Sequence, residues 1–392
     1  MANEQQEPTV PFLPFAAPSI DDEEIREVEK VLREGWVTTG PRTLAFEKAF
    51  ADYAGVPYAK AVNSCTAALH IMLAACDVGP GDEVVVPSLT FAATGNVVDH
   101  VGATPVFADI DERTLNVTAD SIERVLSERT KAVIVVHYAG LACDMDAIKA
   151  LCEPRGIRVM EDAAHAVGTR HKGKLIGSHT EGVSFSFYAN KNMTTGEGGM
   201  LTTSNEELAA KFENLRLHGM SRDAWRRYTA GGSWRYDIVA AGFKYNLGDI
   251  ASAIGLVQLR KLEGFIARRN QLASRLREGL RGLPGLSFQA TAPEGDRHAY
   301  HLFVVRLDTT AGAPDREVVM KHLASAKIGY SVHFIPLHTM SFYKEHFTQP
   351  PGRLAVTERV AEQLLSLPLF PGMADGDIDR VCDAVAGAFS RR

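Results

Sequence analysis

Strand-length apolar runs alternate with helical stretches through the first half of the chain, and this alternation limits the available folds most. The runs are "DEVVVPS" (82–88), "TPVFADI" (104–110), "AVIVVHY" (132–138), "IRVMED" (157–162) and "VSFSFY" (183–188). Between several of them lie amphipathic segments such as "TADSIERVLSE" (118–128) and "DMDAIKALCEP" (144–154). Short strands that are apolar throughout belong to sheets covered on both faces. The expectation is therefore an α/β fold with a mostly parallel sheet flanked by helices. "SIDDEEIREVEKVLREGW" (19–36), "RTLAFEKAFADYAG" (42–55) and "SCTAALHIMLAAC" (64–76) read as helices, and "YAKAVNS" (58–64) as a short strand.

The pattern changes after about residue 245. A long helical stretch (248–283) leaves the sheet region. Beyond it, "HLFVVRL" (301–307), a helix over 315–326, "IGYSVHF" (328–334) and a closing helix (378–392) predict a smaller α+β lobe. With 392 residues, two domains are expected. The division is placed inside the long helix: residues 1–255 form the large domain and 256–392 the small one.

Composition excludes several classes. The net charge of −6 does not suit a nucleic-acid surface. No run of about 18 apolar residues predicts a membrane span, and the polar N-terminus lacks a signal-peptide pattern. Five scattered cysteines without CxxC spacing predict reduced thiols in a cytoplasm, with neither disulfides nor a metal site.

Two residues suggest chemistry. Asp162 follows an apolar strand, where open parallel sheets bind ligands; capping a following helix is the other reading of that position. Lys191, in "FSFYANKNMTTGEGGM" (185–200), follows the next strand. Taken alone it reads as a loop lysine in water. Together, a carboxylate and an amine at two strand ends suit pyridoxal phosphate (PLP). The amine can bond to the aldehyde, and the carboxylate can keep the ring nitrogen protonated. Ser64 and Thr66 stand at a helix start that favours an anion, although ordinary capping explains them equally well. Ser186 offers another hydroxyl. Phe91 and Ala164 are candidates for the two ring faces, with plain core as the alternative for Phe91.

"EDAAHAVG" (161–168), "FSFYANKNMTTGEGG" (185–199) and "YNLGDIASAIGLVQL" (245–259) then resemble the sugar aminotransferases of the DegT/StrS type. The resemblance runs from "GWVTTGP" (35–41) to "HFIPLHTM" (333–340) and "LSLPLFPGM" (365–373). It implies the fold type I of aspartate aminotransferase and PLP as cofactor. Lys191 becomes the Schiff-base lysine, Asp162 the partner of the pyridine nitrogen, and His165 a neighbour of the ring hydroxyl. Cys65, Thr66 and Ser186 fall at phosphate-contact positions. Asn246 resembles the asparagine that reaches the phosphate from the other subunit of a homodimer.

The resemblance also implies L-glutamate as amino donor and a nucleotide-diphospho-keto-sugar as acceptor. "TTGEGG" is similar to relatives acting at sugar C-4, giving a 4-amino sugar; amination at C-3 is the alternative. Dehydratases of the same family carry histidine in place of the lysine, and a catalytically dead homologue would not keep Lys191, Asp162, Ser186 and Asn246 together. A nicotinamide oxidoreductase would need GxGxxG after its first strand, and none is present there. For the sugar end, Thr38, Thr39, His333 and His338 are candidates. The arginine-rich segment 216–236, with Trp225 and Trp234, is expected either to grip a diphosphate or to serve as a solvated dimer-contact loop.

Overall fold

The computed structural model describes residues 11–221 and 236–390. Its strands are β1 (Tyr58–Val62), β2 (Glu83–Pro87), β3 (Thr104–Ala108), β4 (Thr130–Val136), β5 (Arg158–Asp162), a short hairpin of β6 (Arg170–His171) and β7 (Lys174–Leu175), β8 (Gly182–Ser186), β9 (Gly199–Thr203), β10 (Leu286–Phe288), β11 (Phe303–Leu307) and β12 (Leu364–Leu367). Seven of them make the main sheet, in the order β1-β9-β8-β5-β4-β2-β3. The pairings from β3 across to β8 are parallel; β9 is antiparallel to both its neighbours.

Alternation along β2 shows why this sheet is buried on both sides. Val84 and Val86 pack with Leu69, Met72 and Phe107 on one face, while Val85 packs with Val133, Ile148 and Cys152 on the other. Each such valine or leucine contributes roughly 1.5–3 kcal/mol by leaving water. A third cluster, built on Phe46, Phe50, Phe185 and Phe187, closes the β8–β9 end.

The smaller sheet is antiparallel, in the order β10-β11-β12. The helix Asp249–Gly279 spans both cores. Leu262 and Ile266 belong to the phenylalanine cluster, whereas Leu272 and Leu276 belong to the core of the smaller sheet. Asp249 fixes the start of this helix against the N-terminal segment by accepting from Arg42 N, Thr43 N and Thr43 Oγ1.

Several segments depart from the sequence reading. "IGYSVHF" is not a strand; it touches β12 through a single bridge, Ser331 to Ser366. β6, β7, β9, β10 and β12 went unrecognised. "GMLTT" is short and follows a glycine turn, and "LLSL" is a four-residue strand bounded by Pro368. All five cysteines are free thiols, and no described helix is long and apolar enough to cross a membrane.

Candidate active site

The carboxyl ends of the parallel strands and the loop after β1 open into a cavity of about 470 Å³. Register brings its chemistry together. Asp162, the last residue of β5, pairs with Val136 of β4 on one side and Ser184 of β8 on the other. Ser186 lies two residues further along β8, and Lys191 follows in the turn before β9. Ser64, Cys65 and Thr66 enter from the start of the helix Cys65–Ala75, and Thr90 and Phe91 from the loop after β2. The smaller lobe adds His301, His333 and Phe334.

The helix start is prepared for an anion. Ser64 Oγ accepts from Ala67 N at 3.0 Å, and Ser64 O accepts from Ala68 N at 3.1 Å. The amides of Cys65 and Thr66 have no acceptor within the helix and belong to residues that line the cavity. Gly199 at the start of β9 permits this approach. A Cβ there would fall 2.6 Å from Ser64 C and 2.7 Å from Cys65 N.

Asp162 is buried and held by three donors. Ala164 N lies 3.1 Å from Oδ1, Cys65 Sγ lies 3.9 Å from the same oxygen, and Thr94 Oγ1 lies 2.8 Å from Oδ2. Thr94 shares a 2.8 Å bond with Thr90 Oγ1. Since Thr94 donates to the carboxylate, Thr90 donates to Thr94. Burial pushes the Asp162 carboxyl up, against these donors and the Lys191 charge. One layer behind, the buried Glu161 receives His137 Nε2 at 2.8 Å and Thr180 Oγ1 at 2.7 Å. Burial alone would raise Glu161, but these partners hold it below the usual carboxylate range.

Burial also brings the Lys191 amine down to about 8, despite the opposing fields of Cys65 and Asp162. Among the described residues, its one hydrogen bond runs to His301 Nε2 at 3.5 Å. His301 lies 4.3 Å, ring centroid to centroid, from His165, which faces Phe334 at 5.9 Å in a stacked arrangement. His165 Nδ1 accepts from Ala139 N at 3.3 Å, so the neutral ring carries its proton on Nε2. Burial holds His165 and His301 well below the ordinary histidine range and lowers His333 to about 4.

Cys65, Thr66, Phe91, Asp162, Ala164, His165, Ser186, Lys191 and His333 thus share one cavity. Others lie elsewhere. Asn246 Nδ2 donates to Thr39 Oγ1 at 2.8 Å, Thr39 donates to Leu247 O at 2.6 Å, and Thr38 is exposed. His338 bonds Ser88 Oγ at 2.7 Å and Glu358 at 3.2 Å, beside a different surface pocket. Arg216 is buried against Glu47, Glu213 and Ala61 O. Trp225 and Trp234 lie outside the described residues. Sequence reasoning missed His301, Thr94, Thr90 and Phe334. His301 opens "HLFVVRL", where a polar residue before an apolar run was the available signal.

A family model for DegT/DnrJ/EryC1/StrS aminotransferases matches residues 18–386. The chain is 47% identical over 375 residues to the spore coat polysaccharide biosynthesis protein SpsC of Bacillus subtilis, covering 95% of this chain and 96% of that protein. Spr1654 from Streptococcus pneumoniae in its PLP form superposes with a TM-score of 0.90 at 33% identity, over 97% of this chain and 99% of that one. It is also solved in a PMP form. DesV of S. venezuelae superposes with a TM-score of 0.87 at 33% identity, over 97% and 100%. The chain belongs to the DegT/DnrJ/EryC1/StrS family and is a PLP-dependent sugar aminotransferase of fold type I.

Proposed function

We propose that the enzyme moves the amino group of L-glutamate onto the C-4 ketone of a nucleotide-diphospho-sugar. The observation that carries the reading is the placement of Lys191. A buried amine with a lowered pKa shares one cavity with Asp162 and an anion-ready helix start.

The donor set fits PLP. The Cys65 and Thr66 amides, with Ser186, would hold the phosphate. Asp162 would face the pyridine nitrogen, and its Thr94 and Ala164 donors keep the carboxylate oriented. Ala164 and Phe91 would flank the ring, and His165 would stand near its hydroxyl. When bound, PLP supplies the carbonyl that carries the amino group and a ring that withdraws electrons. Lys191 Nζ takes and returns the proton during transfer; an amine titrating near 8 is partly neutral at physiological pH and suits that work.

The C-4 reading rests on "TTGEGG", whose Glu197 lines the cavity and can accept hydroxyl hydrogens from a sugar. His333 and Phe334 stand on the opposite, small-lobe wall. A homodimer would complete the site. Phe91 is 63% exposed and Tyr188 48% exposed at the cavity, and Asn246 does not line the cavity of its own chain. Free thiols suit a cytoplasmic setting. The similarity to SpsC favours a role in supplying glycan precursors. Product NMR after incubation with 4-keto and 3-keto sugar nucleotides tests the regiochemistry: a 4-amino product is expected, and amination only at C-3 contradicts it.

A further inference from the structure

We propose that His301 is the positioning residue for the free Lys191 amine, accepting an N–H of Nζ through its Nε2 and so fixing the amine within the cavity. The inference rests on the reading of Lys191 as the residue that bonds to PLP.

Four observations carry it. First, the 3.5 Å contact to His301 Nε2 is the one side-chain hydrogen bond of Lys191 among the described residues. A long flexible side chain without such a partner would sample several rotamers, and ordering it costs conformational entropy. Second, His301 stays neutral. The residue is 5% exposed, and Lys191, His165, Arg269 and His333 surround it, so a further positive charge there is disfavoured. A neutral ring beside an amine that can carry three protons acts as the acceptor.

Third, Nδ1 of His301 is buried without a partner among the described residues. That leaves Nε2, on the cavity side, as the one ring nitrogen of His301 with a polar partner among the described residues. Fourth, the backbone at His301 is held firmly. The buried Arg269 donates through Nη1 to Leu369 O at 2.8 Å, Tyr300 O at 3.1 Å and His301 O at 3.4 Å. The adjacent Tyr300 adopts a left-handed φ of 45°, a conformation that a non-glycine residue keeps only when its surroundings impose it. His165 is unsuited to the same task, because its Nδ1 is already engaged by the Ala139 amide.

The test uses the cofactor-free full-length protein. Stopped-flow absorbance follows covalent attachment of added PLP in the wild type, His301→Leu and His301→Gln. Glutamine offers an oxygen acceptor of similar reach; leucine fills the space and offers none. Pyridoxamine phosphate affinity serves as control, since that molecule cannot bond to the lysine. The expected result is attachment slowed about tenfold or more in His301→Leu, within about threefold of wild type in His301→Gln, and equal pyridoxamine phosphate affinity in all three. Wild-type attachment rates in His301→Leu overturn the proposal. So does a glutamine variant as slow as leucine, or loss of pyridoxamine phosphate binding in His301→Leu, which would make His301 a packing residue. A wild type that forms no covalent bond at Lys191 would instead refute the underlying assignment of the lysine.

Discussion

Thr94 Oγ1 donates a 2.8 Å hydrogen bond to Asp162 Oδ2, and Thr90 backs it with a second bond of 2.8 Å. Both threonines come from the turn and helix after β2, while Asp162 ends β5. The relay occupies the carboxylate oxygen that neither the Ala164 amide nor the Cys65 thiol reaches. Thr94→Val should therefore lower kcat/KM roughly ten- to a hundredfold, the effect of losing one bond to a buried charged group, roughly 1.5–3 kcal/mol. Thr94→Ser should recover most of it. Steady-state kinetics of the three proteins checks this, and equal loss in Val and Ser would assign Thr94 to packing instead.

The free lysine should titrate far below an ordinary one. The rate at which the cofactor-free protein attaches PLP should rise with pH to a midpoint near 8. Stability follows with a definite sign. The folded lysine loses its proton at lower pH than the unfolded one, so between about 8 and the ordinary lysine value near 10.4 the unfolded state binds more protons. Stability of the cofactor-free protein should therefore gain from this group as pH rises through that window. Denaturant midpoints of wild type and Lys191→Met across the window measure the difference.

Arg216 ties three elements together. Its guanidinium bonds Glu47, Glu213 and the carbonyl of Ala61 in β1, and both Arg216 and Glu47 are buried. Glu47 also accepts from Ala61 N at 2.9 Å. Arg216→Ala leaves a buried carboxylate unpaired and should cost about 3–5 kcal/mol in denaturant unfolding. The exposed pair Lys48–Asp52 should cost under about 1 kcal/mol when broken.

These residues show where sequence reading succeeds and stops. Asp162 and Lys191 were legible because each follows an apolar run in the local sequence, and both lie at strand ends of one sheet. Arg216 reads from sequence as part of the segment 216–236, a diphosphate grip or a solvated contact, because its partner Glu47 is 169 positions away and no local pattern joins them. His301 reaches the cavity only through the packing of the small lobe, and Thr94 reaches Asp162 only through the helix after β2. "IGYSVHF" has strand composition, but it makes only one bridge to β12, and composition alone does not reveal how many ladder bonds a segment finds.

If Asn246 acts across a dimer, two inactive variants should complement each other. Lys191→Ala and Asn246→Ala subunits, mixed and reassociated, should regain roughly a quarter of wild-type activity. Half of the random dimers are mixed, and each mixed dimer holds one intact site. Activity no higher than that of the separate variants would place Asn246 outside the partner's site.

The central claim is that Lys191 bonds to PLP. Borohydride reduction of the PLP-loaded protein, followed by peptide mass spectrometry, tests it directly. The account predicts a single phosphopyridoxyl mass addition on the peptide carrying Lys191, absent from Lys191→Ala. An adduct on a different lysine, or none at all, would contradict it.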